Sequence, residues 1–183
     1  VLFFSSDIVY GESKNVVDEE SQTNPVGNYG RMKEEVENVF LNRKNFKVFR
    51  LSYVLSSQDK FVQYLINCMN SNEVAKVFDP LNRSVIYIDD VIDIMNSLYN
   101  LNRPFIIING GSGEKYTINQ VVRMIRDIVS PSTNISFNKV VDTGNPRHYW
   151  ADIEKLKKIK KNDFVKFKDG LHEYINWCGQ GSG

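Results

Sequence analysis

The chain has 183 residues, 42% of them hydrophobic and 25% charged, with a net charge of +1. That is the composition of a globular protein with room for one sizeable core. It excludes the strongly basic surface of a nucleic-acid binder and any global field that would draw the chain to a membrane. Apolar runs such as Phe105-Ile106-Ile107-Ile108 are strand-length and far short of a membrane span. Cys68 and Cys178 lie in or beside helical patterns and are expected as buried thiols in a reducing cytoplasm. No metal site is expected.

The sequence starts without Met or a leader pattern, and its first residues already read as a buried strand, Phe3-Phe4-Ser5-Ser6. The expectation is therefore a piece of a longer enzyme, with 179–183 as an appended, linker-like tail. The strand delivers hydroxyl side chains at its carboxyl end, where Asp7 to Gly11 follow. A polar loop runs from Glu12 to Asn28. Then Tyr29, Met32, Val36, Val39 and Phe40 mark an amphipathic helix, with Tyr29 and Lys33 four apart on one face. With 9 Tyr in the chain, roughly 0.7 Tyr-x-x-x-Lys matches arise by chance. Context selects between the two that occur. Tyr10 is followed by Gly11 and polar loop, so Lys14 has no helix to hold it there, whereas Tyr29 opens one. A hydroxyl, a phenol and an ammonium at the carboxyl edge of a parallel sheet suit proton transfer in alcohol and ketone chemistry.

Farther on, Lys47–Ser52 predicts a strand, Phe61–Met69 a helix ending at Asn70-Ser71-Asn72, and Val74–Asp79 a short strand with a turn at Asp79–Asn82. Asp89 or Asp90 is expected to cap a helix over Val91–Leu101. Phe105–Ile108 reads as a strand covered on both faces. Gly110-Gly111-Ser112-Gly113 falls short of a dinucleotide-binding fingerprint, because Tyr116 takes the third glycine's position, and is read as a turn. Thr117 is expected to cap a helix that stops at Ser130-Pro131. Residues Ile153–Lys161 and Asp169–Trp177 are read as closing helices. The lysine run 155–161 and His172 are placed on solvated faces, and His148 in a loop.

These blocks resemble the extended short-chain dehydrogenase/reductase family, the NAD(P)-dependent nucleotide-sugar epimerases, dehydratases and reductases. Ser6, Tyr29 and Lys33 match that family's catalytic Ser/Thr and Tyr-x-x-x-Lys pair, and Arg83–Val91 resembles its "R-x-F-I-x-V-D-D-V" segment. Gly144–Asp152 resembles its substrate loop, although Asp142 replaces a usual arginine. The resemblance implies an α/β fold, the remainder of a Rossmann-like doubly wound parallel sheet (1–52 and about 85–110). It also implies a smaller α/β substrate-binding domain (about 53–84 and 111–178). Tyr29 and Lys33 would contact NAD or NADP, and Ser6 would hold the reacting oxygen. Ser5, Asp7, Tyr53, Arg83 and Arg147 would bind a nucleotide sugar, with Tyr53 standing where epimerases usually carry Asn. Ile8 replaces the glutamate of the 4,6-dehydratases, and an alkyl group cannot accept a proton, which disfavours elimination. What remains is C4 epimerisation or C4 keto/hydroxy interconversion. The second of these is similar to the dTDP-4-dehydrorhamnose reductase branch; a catalytically silent scaffold on the same fold is the competing class. Because the Gly-rich first half is absent, an exposed sheet edge is expected, with pairing to a second copy (a dimer) or to a complementary N-terminal half.

Overall fold

The computed structural model describes residues 1–13, 15–41, 43–78, 82–102, 105–129, 137–140 and 148–180, and of 78, 137–140 and 177–180 the backbone alone. Strand β1 (Leu2–Ser6) leads into a single 3-10 turn, Asp7–Tyr10. Gly11 then holds φ at +67°, and an added Cβ there would sit 2.1 Å from the Asn24 carbonyl oxygen. Only glycine lets the loop fold back this closely. Helix α1 (Asn28–Val39) follows, then β2 (Phe46–Leu51), β3 (Tyr53–Leu55), α2 (Lys60–Asn70), β4 (Ala75–Phe78) and β5 (Asn82–Tyr87). The rest is α3 (Ile88–Asn100), β6 (Phe105–Gly110), β7 (Lys115–Thr117), α4 (Ile118–Val129), β8 (Phe137–Val140), β9 (His148–Tyr149), α5 (Glu154–Lys157) and α6 (Phe167–Gln180).

The order β1-β2-β6 forms a parallel sheet in which Ser6, Leu51 and Gly110 are in register, so its carboxyl ends finish together. In a second sheet β5 lies between β3 (parallel) and β7 (antiparallel), with β9 also paired to β5. Strands β4 and β8 form a third, parallel pair. The first two sheets meet where Ser52 N–H donates to Gly110 O at 2.9 Å and Ser112 N–H to Val85 O at 2.7 Å. The glycine turn 110–113 thus leads into β7, not into a helix.

Two apolar clusters hold the layers. Phe49, Ile94, Leu98, Ile108 and Leu156 fill the space between the first sheet and α3 and α5. Leu55, Leu65, Val85, Ile125, Phe167 and Leu171 fill that between the second sheet and α2, α4 and α6. Caps set the helix starts. Asp59 accepts from Val62 N–H at 2.8 Å at the head of α2. At α4, Gln120 N–H donates to Thr117 Oγ1 and Thr117 N–H to Gln120 Oε1, a reciprocal capping box. At the other end of α3, buried Lys47 donates to the carbonyls of Leu98 and Leu101, satisfying orphan acceptors of the last turn.

The two edges of the first sheet differ. Lys47 N–H donates to Val1 O, so β1 turns alternate backbone groups, those of Leu2, Phe4 and Ser6, away from β2. No described strand pairs with them, and Lys33 Nζ donates to Phe4 O at 2.7 Å. On the β6 side, Glu19 accepts from Asn109 N–H at 2.8 Å and Lys155 donates to Ile107 O at 3.3 Å, which blunts that edge.

Several expectations change. β1 is not fully buried: Phe4 is 39% exposed, because the strand lies at an edge. Helix α3 starts at Ile88 with Tyr87 as its non-helical neighbour, and neither Asp89 nor Asp90 caps it. Asp90 instead points inward, accepting from Val165 N–H and pairing with Lys160 at 3.0 Å. Lys160 is therefore buried and not part of a solvated lysine face. The helix expected over Ile153–Lys161 contracts to the single turn α5, since the chain must bring that lysine inward. Cys68 is a free, buried thiol, and the side chain of Cys178 lies outside the described residues. Among the described residues no helix is long and apolar enough to cross a membrane.

Candidate active site

The aligned carboxyl ends of β1, β2 and β6 deliver Ser6 and the following turn to one place. Ser6 is the cap of the 3-10 turn: its Oγ accepts from Ile8 N–H at 3.4 Å and lies 3.4 Å from Asp7 Oδ1. Helix α1 reaches the same turn because of Gly30. A Cβ there would stand 2.8 Å from Pro25 Cβ and 3.4 Å from Ile8 O, so a larger residue would push the helix off. Tyr29, the neighbour of Gly30, is 54% exposed. Lys33, one turn on, holds its ammonium 5.5 Å from the Tyr29 ring centre and 4.8 Å from that of Phe3. A side-chain bond from Thr23 to Glu34 ties the preceding loop to this helix. Lys33 is thus brought together with Tyr29 along β1, and the start of α1 lies against the turn that follows Ser6.

The residues expected to bind substrate extend from there. Ser5 is buried, and its hydroxyl has no hydrogen-bond partner among the described residues. Asp7 is buried and pairs through Oδ1 with Arg83 at 2.8 Å. Burial pushes the Asp7 carboxyl up, against the opposing pull of the Arg83 charge. Arg83, near the start of β5, stacks 4.9 Å over the Tyr149 ring, and its Nε is buried with no hydrogen-bond partner among the described residues. It is neither a turn residue nor freely exposed. Its guanidinium borders a cavity of about 460 Å³ lined also by Tyr53, Phe61, Tyr64, Val77, Tyr116 and Ile118, with Lys60 and Lys76 at the rim. A cavity of that size, apolar with a few convergent cations, suits an aromatic, anionic ligand. Tyr53 lines it, but its hydroxyl already donates to Asp59 Oδ2 at 2.6 Å. Burial and the Asp59 carboxylate push that phenol far above the usual range. Arg147, with Asp142 and Gly144 of the expected substrate loop, lies outside the described residues.

A buried polar chain behind the site was not foreseen. Arg50 makes three contacts of 2.6 to 3.2 Å with the Glu37 carboxylate and donates to Tyr10 Oη, which donates to Asn109 Oδ1. Burial pushes Tyr10 up to about 12. Tyr10 therefore has a structural place, and Glu37, on the face of Lys33, fixes α1 to the sheet. The signal was present in the charge of Arg50 within an apolar strand.

An α/β fold whose parallel strands end beside a Tyr-x-x-x-Lys helix is that of the extended short-chain dehydrogenase/reductases, the nucleotide-sugar epimerases and dehydratases. Residues 1–176 match the family model described as the RmlD substrate binding domain, and the chain belongs to that family. It is 26% identical over 188 residues to an uncharacterized UDP-glucose epimerase of Bacillus subtilis, covering 95% of this chain and 58% of that protein. Among solved structures it is similar to UDP-glucuronic acid 4-epimerase of Bacillus cereus in complex with UDP-glucuronic acid and NAD. That likeness has a TM-score of 0.81 at 27% identity and covers 97% of this chain and 61% of the other. The fold also matches dTDP-glucose 4,6-dehydratase of Bacillus anthracis in complex with NAD (TM-score 0.87, 19% identity, 98% and 61% covered). The chain thus spans about three fifths of the length of these relatives.

Proposed function

We propose that this chain forms the catalytic and sugar-nucleotide-binding part of an NAD-dependent enzyme acting at C4 of a nucleotide sugar. The observation that carries it is the packing of α1, with Lys33 beside the Tyr29 ring, against β1 and, through Gly30, against the turn after Ser6. Tyr29 exchanges a proton with the sugar hydroxyl or ketone oxygen. Lys33 holds its ammonium 5.5 Å from the centre of that ring. Ser6 donates a hydrogen bond to the same oxygen. The dinucleotide, when bound, supplies the hydride chemistry. Lys33 and Tyr29 fit its nicotinamide-ribose end, whereas the turn 110–113 opens no helix to receive a pyrophosphate. The nucleoside diphosphate occupies the cavity beside Arg83, whose planar fork suits phosphate oxygens. Ile8 offers no carboxylate base for elimination.

The family match favours a second reading, reduction at C4 in the manner of a dehydrorhamnose reductase. In either case the working enzyme includes a dinucleotide-binding portion paired along β1, operates in the cytoplasm, and assembles as a dimer. Incubating the complete enzyme with UDP-glucose or UDP-glucuronic acid and NAD, followed by NMR of the sugar, is expected to yield the 4-epimer or a 4-keto/4-hydroxy pair. Loss of water from the sugar rules the proposal out.

A further inference from the structure

Asp7 and Arg83 join two parts of the molecule that the proposed reaction keeps separate. Asp7 belongs to the turn beside Ser6, and Arg83 to the wall of the cavity. Their side chains are 2% and 29% exposed, so ligand in the cavity reaches the arginine and not the carboxylate. We infer that capture of a nucleoside diphosphate at Arg83 is coupled to uptake of a proton by Asp7. The inference rests on the assignment of the cavity given above.

The argument is one of counter-charge. The Arg83 side chain is part-exposed and lines the cavity, so an incoming phosphate can reach it and form a charge-assisted hydrogen bond. Whether the guanidinium turns or is shared, Asp7 then loses part of the positive charge that faces it and gains a negative neighbour. Both changes disfavour its ionised form. Burial already pushes this carboxyl up, with Arg83 the largest opposing influence and the hydroxyls of Ser52 and Ser6 the others. Weakening the opposition moves it in one direction only, so ligand binding takes a proton from solvent. Among the described residues, the charged or titratable groups around the pair beyond Arg83 on β5 are Tyr149 and His148 on β9, and the Tyr53–Asp59 pair of the adjoining wall. His148 faces Asn82 at 2.6 Å, away from the ion pair, and serves as a control. A neutral Asp7, next to Ser6 in sequence, becomes a hydrogen-bond donor at the end of β1 only while ligand is bound.

Calorimetric titration of the 183-residue chain with UDP-glucose in PIPES and in Tris, near neutral pH, tests this. The diphosphate of UDP-glucose is a diester and does not titrate there. The binding heats are expected to differ between the buffers by an amount that corresponds to net proton uptake. Asp7→Asn should bind with one heat in both buffers, and His148→Gln should keep the difference. Binding with equal heats for the unaltered chain overturns the coupling and leaves the nucleotide assignment standing. Uptake that persists in Asp7→Asn overturns it as well. If UDP-glucose does not bind at all, the assignment of the cavity falls, and the coupling with it.

Discussion

Tyr29 and Tyr10 begin the same four-residue spacing to a lysine, yet they have opposite environments. One ring is half exposed on a helix start; the other is buried in a bonded chain between Arg50 and Asn109. In the complete enzyme, Tyr29→Phe should lower kcat by about 10²–10⁴ and leave KM nearly unchanged, since it removes a proton-transfer group. Near wild-type turnover would remove Tyr29 from the mechanism. Tyr10 gives a prediction at alkaline pH. Its phenol ionises near about 10 in an unfolded chain and at about 12 in the fold. The folded state thus holds the proton longer, and the stabilisation is complete below pH about 10 and lost as pH rises through about 12. The gap amounts to roughly 2–3 kcal/mol. Burial holds Tyr87 and Tyr116 to about 12 as well, each beside a carboxylate. Tyrosinate absorbance should therefore show a delayed class of phenols that titrates together with unfolding, and a single ordinary midpoint would contradict it. The sequence made Ser6, Tyr29 and Lys33 legible because their spacing is local. It left Arg83–Asp7 and Asp90–Lys160 unread, because those pairs join residues about 70 or more positions apart.

Among the elements, α1 shows how a helix can be positioned by what it lacks. Gly30 is a poor helix former, and alanine would favour the helix by about 1 kcal/mol. Yet its missing Cβ is what permits contact with Pro25 and Ile8. Gly30→Ala is expected to keep the thermal midpoint within a few degrees while lowering turnover about tenfold or more, because it displaces α1, and Tyr29 with it, from the turn after Ser6. A variant that loses stability and keeps its activity would show that the contact is only packing. The strands and helices with a clear period were readable, and Thr117 capped its helix as expected. Two element-level readings failed for one reason. Asp89-Asp90 looked like a cap and lysines 155–161 like a solvated face; Lys157, Lys158 and Lys161 are exposed as expected, but Asp90 and Lys160 neutralise each other inside the fold. A periodicity argument sees one segment at a time and cannot supply a partner for a buried charge.

At the scale of the whole molecule, the described residues assemble the cavity beside Arg83, proposed above for the nucleoside diphosphate, but no Gly-rich turn opening a helix. The 183-residue chain is therefore expected to show no micromolar binding of NAD or NADP in calorimetry, even while it binds UDP-glucose. Tight NAD binding by the isolated chain would place a pyrophosphate cradle where none is described. The remaining consequence comes from the unequal edges of the first sheet. Glu19 and Lys155 stopper β6, whereas β1, with no charged side chain from Val1 to Ser6, has among the described residues Lys33 laid across it. Among the described residues such a sheet has a valence of one along the hydrogen-bonding direction. The pairing proposed above would therefore be self-limiting, since one further copy or one complementary segment would fill that edge, whereas a sheet open on both sides would polymerise.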